Sequence, residues 1–135
     1  MASPYHIFGD NVIEAEWFRA LTPMLSEAAY RPILARGSNP PPVDDLIRYD
    51  RPDIVLTYRD KPVLVVEKTR EVPTGHNVGQ RLARVVRAAE AGVPVIAFFP
   101  FDARKHGDYS SLCNLNIRLL LAFERMAEIH EVPVL

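Results

Sequence analysis

A single cysteine, Cys113, stands in the 135 residues, so the chain has no internal disulfide framework and no set of thiolates for a zinc site. A reducing cytoplasm is the compartment expected of such a chain. No apolar run approaches the ~20 residues that span a bilayer, and the opening MASPYHIFGD lacks the basic-then-apolar plan of a signal peptide. Charge of one sign is missing too. Sixteen cations face 17 acids for a net charge of −1, so any attraction to nucleic acid must come from a local patch. Glycine-rich phosphate loops, HExxH and the GxSxG serine elbow are all absent, which leaves no cofactor motif to support a small-molecule α/β enzyme.

What remains is an ordinary globular composition, 48% apolar and 24% charged, sized for one domain spanning 1–135. The apolar ending EVPVL has no polar tail, as suits a piece of a longer polypeptide. Thirteen of the sixteen cations are arginine, a skew that either bidentate phosphate binding or high-GC codon usage produces.

Apolar residues recur at three- and four-residue spacing from Asp10 to about Ala29 (Ile13, Trp17, Ala20, Leu21, Met24, Leu25, Ala28) and predict a buried helical stripe. Asp10, or failing it Asn11, is the expected N-cap, and Pro23 implies one kinked helix or two short ones. Tyr30–Gly37 reads as a short strand. Ser38–Pro42, with three prolines, reads as a surface connection without regular structure. Ile54–Tyr58 and Val63–Val66 predict a hairpin whose four-residue turn is Arg59–Pro62, buried on both faces. A helix over 77–91 ended by Gly92, a buried strand over 93–99 and a last helix over 111–129 follow. The expectation is an α/β fold, a mixed β-sheet flanked by helices.

Two carboxylates occupy informative places. Asp53 opens the first hairpin strand and Glu67 closes the second, and an antiparallel hairpin flanked by Tyr58 and Pro62 sets them opposite each other. Cross-strand Cβ atoms lie ~4.5–5.5 Å apart, and two carboxylates at that distance need a proton or a cation between them. Magnesium, a hard ion with oxygen ligands, suits the position; two separately solvated strand ends is the alternative. Glu14 falls between Trp17, Phe18 and Leu21 on the helical wheel and so needs a partner, either the same metal or an arginine such as Arg19.

Pro52-Asp53, fourteen residues, then Glu67-Lys68 on an apolar strand, with a leading and a trailing helix, resembles the PD-(D/E)xK nuclease superfamily. The likeness covers about Asp10–Phe99, and the segment GDNVIEAE also looks like the opening of some restriction-endonuclease-like proteins. It implies an αβββαβ core and a Mg2+ ion (Mn2+ substituting) held by Asp53, Glu67 and Glu14, with the Lys68 carbonyl a further ligand. It also implies hydrolysis of a DNA phosphodiester by a metal-bound water. The superfamily places lysine two residues after the glutamate, on the same strand face, whereas this chain has Thr69 there and Lys68 one position early. A β-bulge could turn Lys68 inward, another donor such as Gln80 or His76 could take its role, or the site is inactive.

On the helix that follows, Asn77, Gln80, Arg81, Arg84 and Arg87 share a polar flank. By the resemblance Gln80 is the candidate catalytic group beside Lys68, while Arg70, His76, Asn77, Arg81, Arg84 and Arg87 form a basic stretch suited to a phosphate backbone. A solvated helix face is the plain alternative. The expected function is a Mg-dependent DNA endonuclease, a homodimer if it cuts both strands, or part of a larger assembly. The alternative is a catalytically inactive DNA-binding or assembly module on the same fold.

Overall fold

The computed structural model describes residues 2–68, 76–98, 102–104, 112–114 and 117–135, with backbone alone at 76–81, 102–104, 112–114 and 117–119. Strand β1 (Tyr5–Gly9) comes first, followed by α1 (Val12–Arg19) and β2 (Ala29–Pro32). Next are α2 (Pro41–Leu46), β3 (Ile54–Tyr58), β4 (Lys61–Lys68), α3 (His76–Glu90) and β5 (Val95–Phe98). Two short strands, β6 (Asp102–Arg104) and β7 (Leu112–Asn114), pair with each other ahead of α4 (Ile117–His130). The fold is α/β, and among the described residues it has a five-stranded mixed sheet in the order β2-β1-β3-β4-β5 and four helices.

Strands β1 and β2 are parallel, as are β4 and β5, and β3 runs antiparallel between β1 and β4. The two parallel crossovers therefore step outward in opposite directions from the centre of the sheet. A crossover of fixed hand must then place its helix on opposite faces. This is the arrangement found: Ala15 and Phe18 of α1 pack with Ile7, Ile54, Leu56 and Val66, whereas Val85, Ala88 and Ala89 of α3 pack with Phe8, Val55 and Val65 on the other side. Helices α2 and α4 join α3 there through Val43, Leu46, Phe123 and Met126.

Several expectations change for local physical reasons. The first helix ends at Arg19, and Pro23 opens a separate 3₁₀ turn (Pro23–Leu25) capped by Thr22. A helical stripe cannot continue across that break, so Ile13 (74% exposed), Leu21 and Met24 face solvent while Leu25 and Ala28 stay buried. The N-cap is Asn11, whose Oδ1 accepts from the Ile13 N–H at 2.7 Å. The proline run is regular only in part: Ser38–Pro40 form a connection as expected, but Pro41 and Pro42 open α2, in a first turn where no N–H is required. Strand β1 was hidden because YHIFG precedes the stronger helical period. The last helix begins at Ile117, with β7 over part of the segment expected to be helical. Gly92 ends α3 at φ +75°, as expected of a C′ glycine.

The hairpin turn is tighter than expected. Arg59 (φ 50°) and Asp60 (φ 66°) form a two-residue turn with both centres left-handed, and Pro62 pairs with Thr57 inside β4. Pairing then shifts by one residue between Leu56 and Thr57, so that Leu56 meets Leu64 and Ile54 meets Val66. Val63 is the bulged residue. One further step along this register sets Asp53 across from Glu67; without the bulge, the two-residue turn would have set it across from Val66.

Arg59 does not favour φ > 0, and Asp60 tolerates it less well than glycine, so Arg59→Asn with Asp60→Gly installs the preferred pair for this turn. The double variant is expected to gain about 1 kcal/mol, raising the thermal midpoint by roughly 3 °C in calorimetry. A lower midpoint would count against the turn geometry.

Candidate active site

The parallel strands β1, β2, β4 and β5 all end on one side of the sheet, at Gly9, Pro32, Lys68 and Phe98, where β3 begins. In open α/β sheets, ligand crevices form outside such carboxyl ends, at the point where successive crossovers diverge. The two crossovers here diverge across β3, and Asp53 and Glu67 lie at that point.

The pair is held by the backbone as well as by charge. The Lys68 N–H donates to Asp53 Oδ2 at 2.8 Å, and the Asp53 N–H donates to Glu67 Oε1 at 3.4 Å. Buried Pro52 precedes Asp53. Gly9, facing it from β1, packs closely: a Cβ there would lie 3.1 Å from the Asp53 carbonyl oxygen, a tight contact that the Asp53 backbone would have to yield to. Glu67 is 0% exposed, Asp53 18%. Asp53 lies two residues from Val55 and Glu67 two from Val65, so each shares a strand face with its valine and faces α3.

From α3, Arg84 supplies the cation that two adjacent carboxylates require. Its Nη1 lies 3.0 Å from Glu67 Oε2 and 3.5 Å from Asp53 Oδ1, while its Nε donates to Asp50 Oδ2 at 2.9 Å. Burial works against the Arg84 charge, but the Glu67 carboxylate and the hydrogen bonds to Glu67 and Asp50 outweigh it, and the guanidinium stays above its ordinary pKa. Asp50, in the connection from α2 to β3, is a member of the site that motif reading missed. Its only signal in the sequence is an acid three residues before Asp53.

The remaining expected site residues are placed as follows. Lys68 lies on the opposite face from Glu67, its Nζ 4.6 Å from the centre of the Trp17 ring, which in turn meets Phe98 edge-on at 5.2 Å. The bulge that the chain does contain is at Val63, too far back along β4 to reorient Lys68. Glu14 is half-buried on α1, which packs on the face away from α3. Among the described residues no three His, Cys, Asp or Glu side chains gather to hold a metal ion, so the set of Asp53, Glu67 and Glu14 is not assembled. Arg19, the other partner considered for Glu14, bonds to Glu16 at 2.6 Å and to the Ala28 carbonyl.

The expected basic flank is also changed. Arg84 and Arg87 are turned onto carboxylates of the chain, Arg87 bonding to Asp45 Oδ2 at 2.6 Å, to the Asp45 carbonyl at 3.0 Å and to Glu90. Arg87 thereby ties α2 to α3. His76, Asn77, Gln80 and Arg81 are placed by backbone alone, in the first turns of α3, while Arg70 lies outside the described residues. Arg51, on the same rim, reaches Asp10 at 3.4 Å.

Two outcomes test this network. Arg84→Met leaves the buried Glu67 without its guanidinium and is expected to cost about 3 kcal/mol in denaturant unfolding, with Glu67→Leu added to Arg84→Met recovering much of it. Equal loss in single and double variants would show that the Glu67 contact is not what Arg84 stabilises. At the α2–α3 tie, the hydrogen bond from Arg87 holds the Asp45 carboxyl below its usual pKa range against the effect of burial. A lowered folded-state pKa adds stability above the unfolded value, and that contribution fades as pH falls through the folded one. The stability difference between wild type and Asp45→Asn should therefore be largest above about pH 4 and shrink below it; a difference independent of pH would contradict the assignment.

Compared with family models, with curated proteins and with solved structures, the chain has no match.

Proposed function

We propose that the domain is a metal-dependent DNA endonuclease of the PD-(D/E)xK kind. The observation that carries this reading is the placement of Asp53 beside Glu67 at the carboxyl end of β4, at the point from which the two crossovers diverge. Read along the chain from α1 onward, the elements α1, β2, β3, β4, α3 and β5 run in αβββαβ order, with α2 inserted before the hairpin and β1, which precedes them in sequence, standing between β2 and β3 in the sheet.

The donor chemistry fits a hard divalent ion, because magnesium is commonly held by one or two carboxylates, with waters and substrate phosphate completing its shell. Asp53 and Glu67 would hold it, and when bound the ion supplies a polarised phosphate and an activated water. The chain's own residues set the conditions for this. Gly9 and Pro52 fix the Asp53 backbone, the Lys68 N–H orients the Asp53 carboxylate, and burial keeps bulk water from Glu67. Lys68, stacked over Trp17, is not placed to orient a nucleophile, so this role falls to a group on the α3 side; Gln80, one turn before Arg84, is the candidate. DNA is the proposed substrate, and a homodimer the proposed form if both strands are cut.

A second reading has its own support. Arg84 already neutralises the carboxylates and Lys68 lies on the other face, which is what a non-catalytic DNA-binding or assembly module would retain. A plasmid-nicking assay with Mg2+ or Mn2+ separates the two. The nuclease reading expects cleavage that falls by at least about 100-fold in Asp53→Ala and in Glu67→Ala, several kcal/mol of barrier. Cleavage persisting in both variants would remove the site assignment, and no cleavage by wild type on linear, nicked or single-stranded DNA would favour the module.

A further inference from the structure

The Arg84 guanidinium meets its carboxylates with two different nitrogens: Nη1 faces Glu67 and Asp53, and Nε faces Asp50. These partners differ in depth. Glu67 is sealed at 0% exposure, whereas Asp50 is 35% exposed and lies in a connection between elements. A swing of the distal guanidinium toward solvent gives up the Nη1 contacts and keeps the Asp50 contact. A divalent ion that approaches Asp53 and Glu67 meets the Nη1 charge at the same oxygens, so ion and guanidinium cannot both stay.

We propose that Arg84 is a displaceable occupant of the cation position and that Asp50 is the anchor that retains it when a divalent ion enters, a proposal that rests on the metal-dependent reading above. Arg84 is thus a positioning residue with two states. In the first it holds the buried Glu67 carboxylate neutralised, so the fold does not depend on metal. In the second it lies against Asp50 at the rim, a cation beside the place where a phosphate would lie. Arg87, three residues later, does not share this role, because its carboxylate partners Asp45 and Glu90 belong to α2 and to α3 itself.

The test is Mn2+ binding to the full chain without DNA, followed by the electron paramagnetic resonance signal of the free ion. Arg84→Gln removes the competitor and should bind Mn2+ about tenfold more tightly than wild type, a change of ~1.4 kcal/mol. Asp50→Asn removes the anchor and should bind several-fold more weakly, an effect that shrinks when Arg84→Gln is also present. If Arg84→Gln fails to fold, Arg84→Lys takes its place: a lysine brings one nitrogen where the guanidinium brings two, so it holds Asp50 and Glu67 together less well and Mn2+ again binds more tightly. Unchanged or weaker affinity in the Arg84 variants overturns the proposal. So does an Asp50→Asn effect of equal size with and without Arg84, or no Mn2+ binding to any form. The expected binding pattern without DNA cleavage would sink the nuclease reading and leave the displacement standing. Cleavage with unaltered Mn2+ affinity would do the reverse.

Discussion

An acid with no solvent contact dictates much of this architecture. Glu67 ends an otherwise apolar strand, and a charge buried there is costly without a cation and hydrogen bonds. Arg84 meets that need from α3, 17 residues further along the chain. Meeting it couples three parts of the fold: the end of the hairpin, the central turns of α3, and the connection that carries Asp50. A packing fault in any of these would be felt at the same oxygen atoms.

The sheet topology explains why this happens where it does. Four strands run parallel and β3 alone runs against them, so the two crossovers leave the centre in opposite directions, with their helices on opposite faces. Asp53 and Glu67 lie at the carboxyl ends of the central strands where the crossovers diverge, facing α3, while Lys68 alternates to the α1 side and rests on Trp17. The separation of Glu67 from Lys68 follows from strand pleat, and no property of the two residues alone would alter it.

Much of the fold was legible from periodicity. The hairpin, α3 with its glycine stop, and β5 appear close to where spacing and β-branched runs place them, because each is a long pattern with its own punctuation. Failures occurred where a pattern was read across a break. The stripe from Ile13 to Ala28 joins two elements, so its apolar residues do not share a face. The three prolines were read only as missing donors, yet at the start of a helix a missing donor costs nothing. The arginine flank on α3 looked like a phosphate surface because sequence spacing does not reveal that Asp45, Asp50 and Glu67 converge on Arg84 and Arg87.

Local chemistry was therefore enough to name the two acids and the hairpin that carries them, since turn residues and apolar runs act over a few positions. Their shared face was not decided locally. It depends on a two-residue turn offset by the Val63 bulge, two departures from the expected hairpin that cancel in register. The partner of the acids and the position of Lys68 were decided only in three dimensions. Which helix packs on which face is fixed by crossover handedness and by burial across the whole sheet, and no short window of residues contains that information.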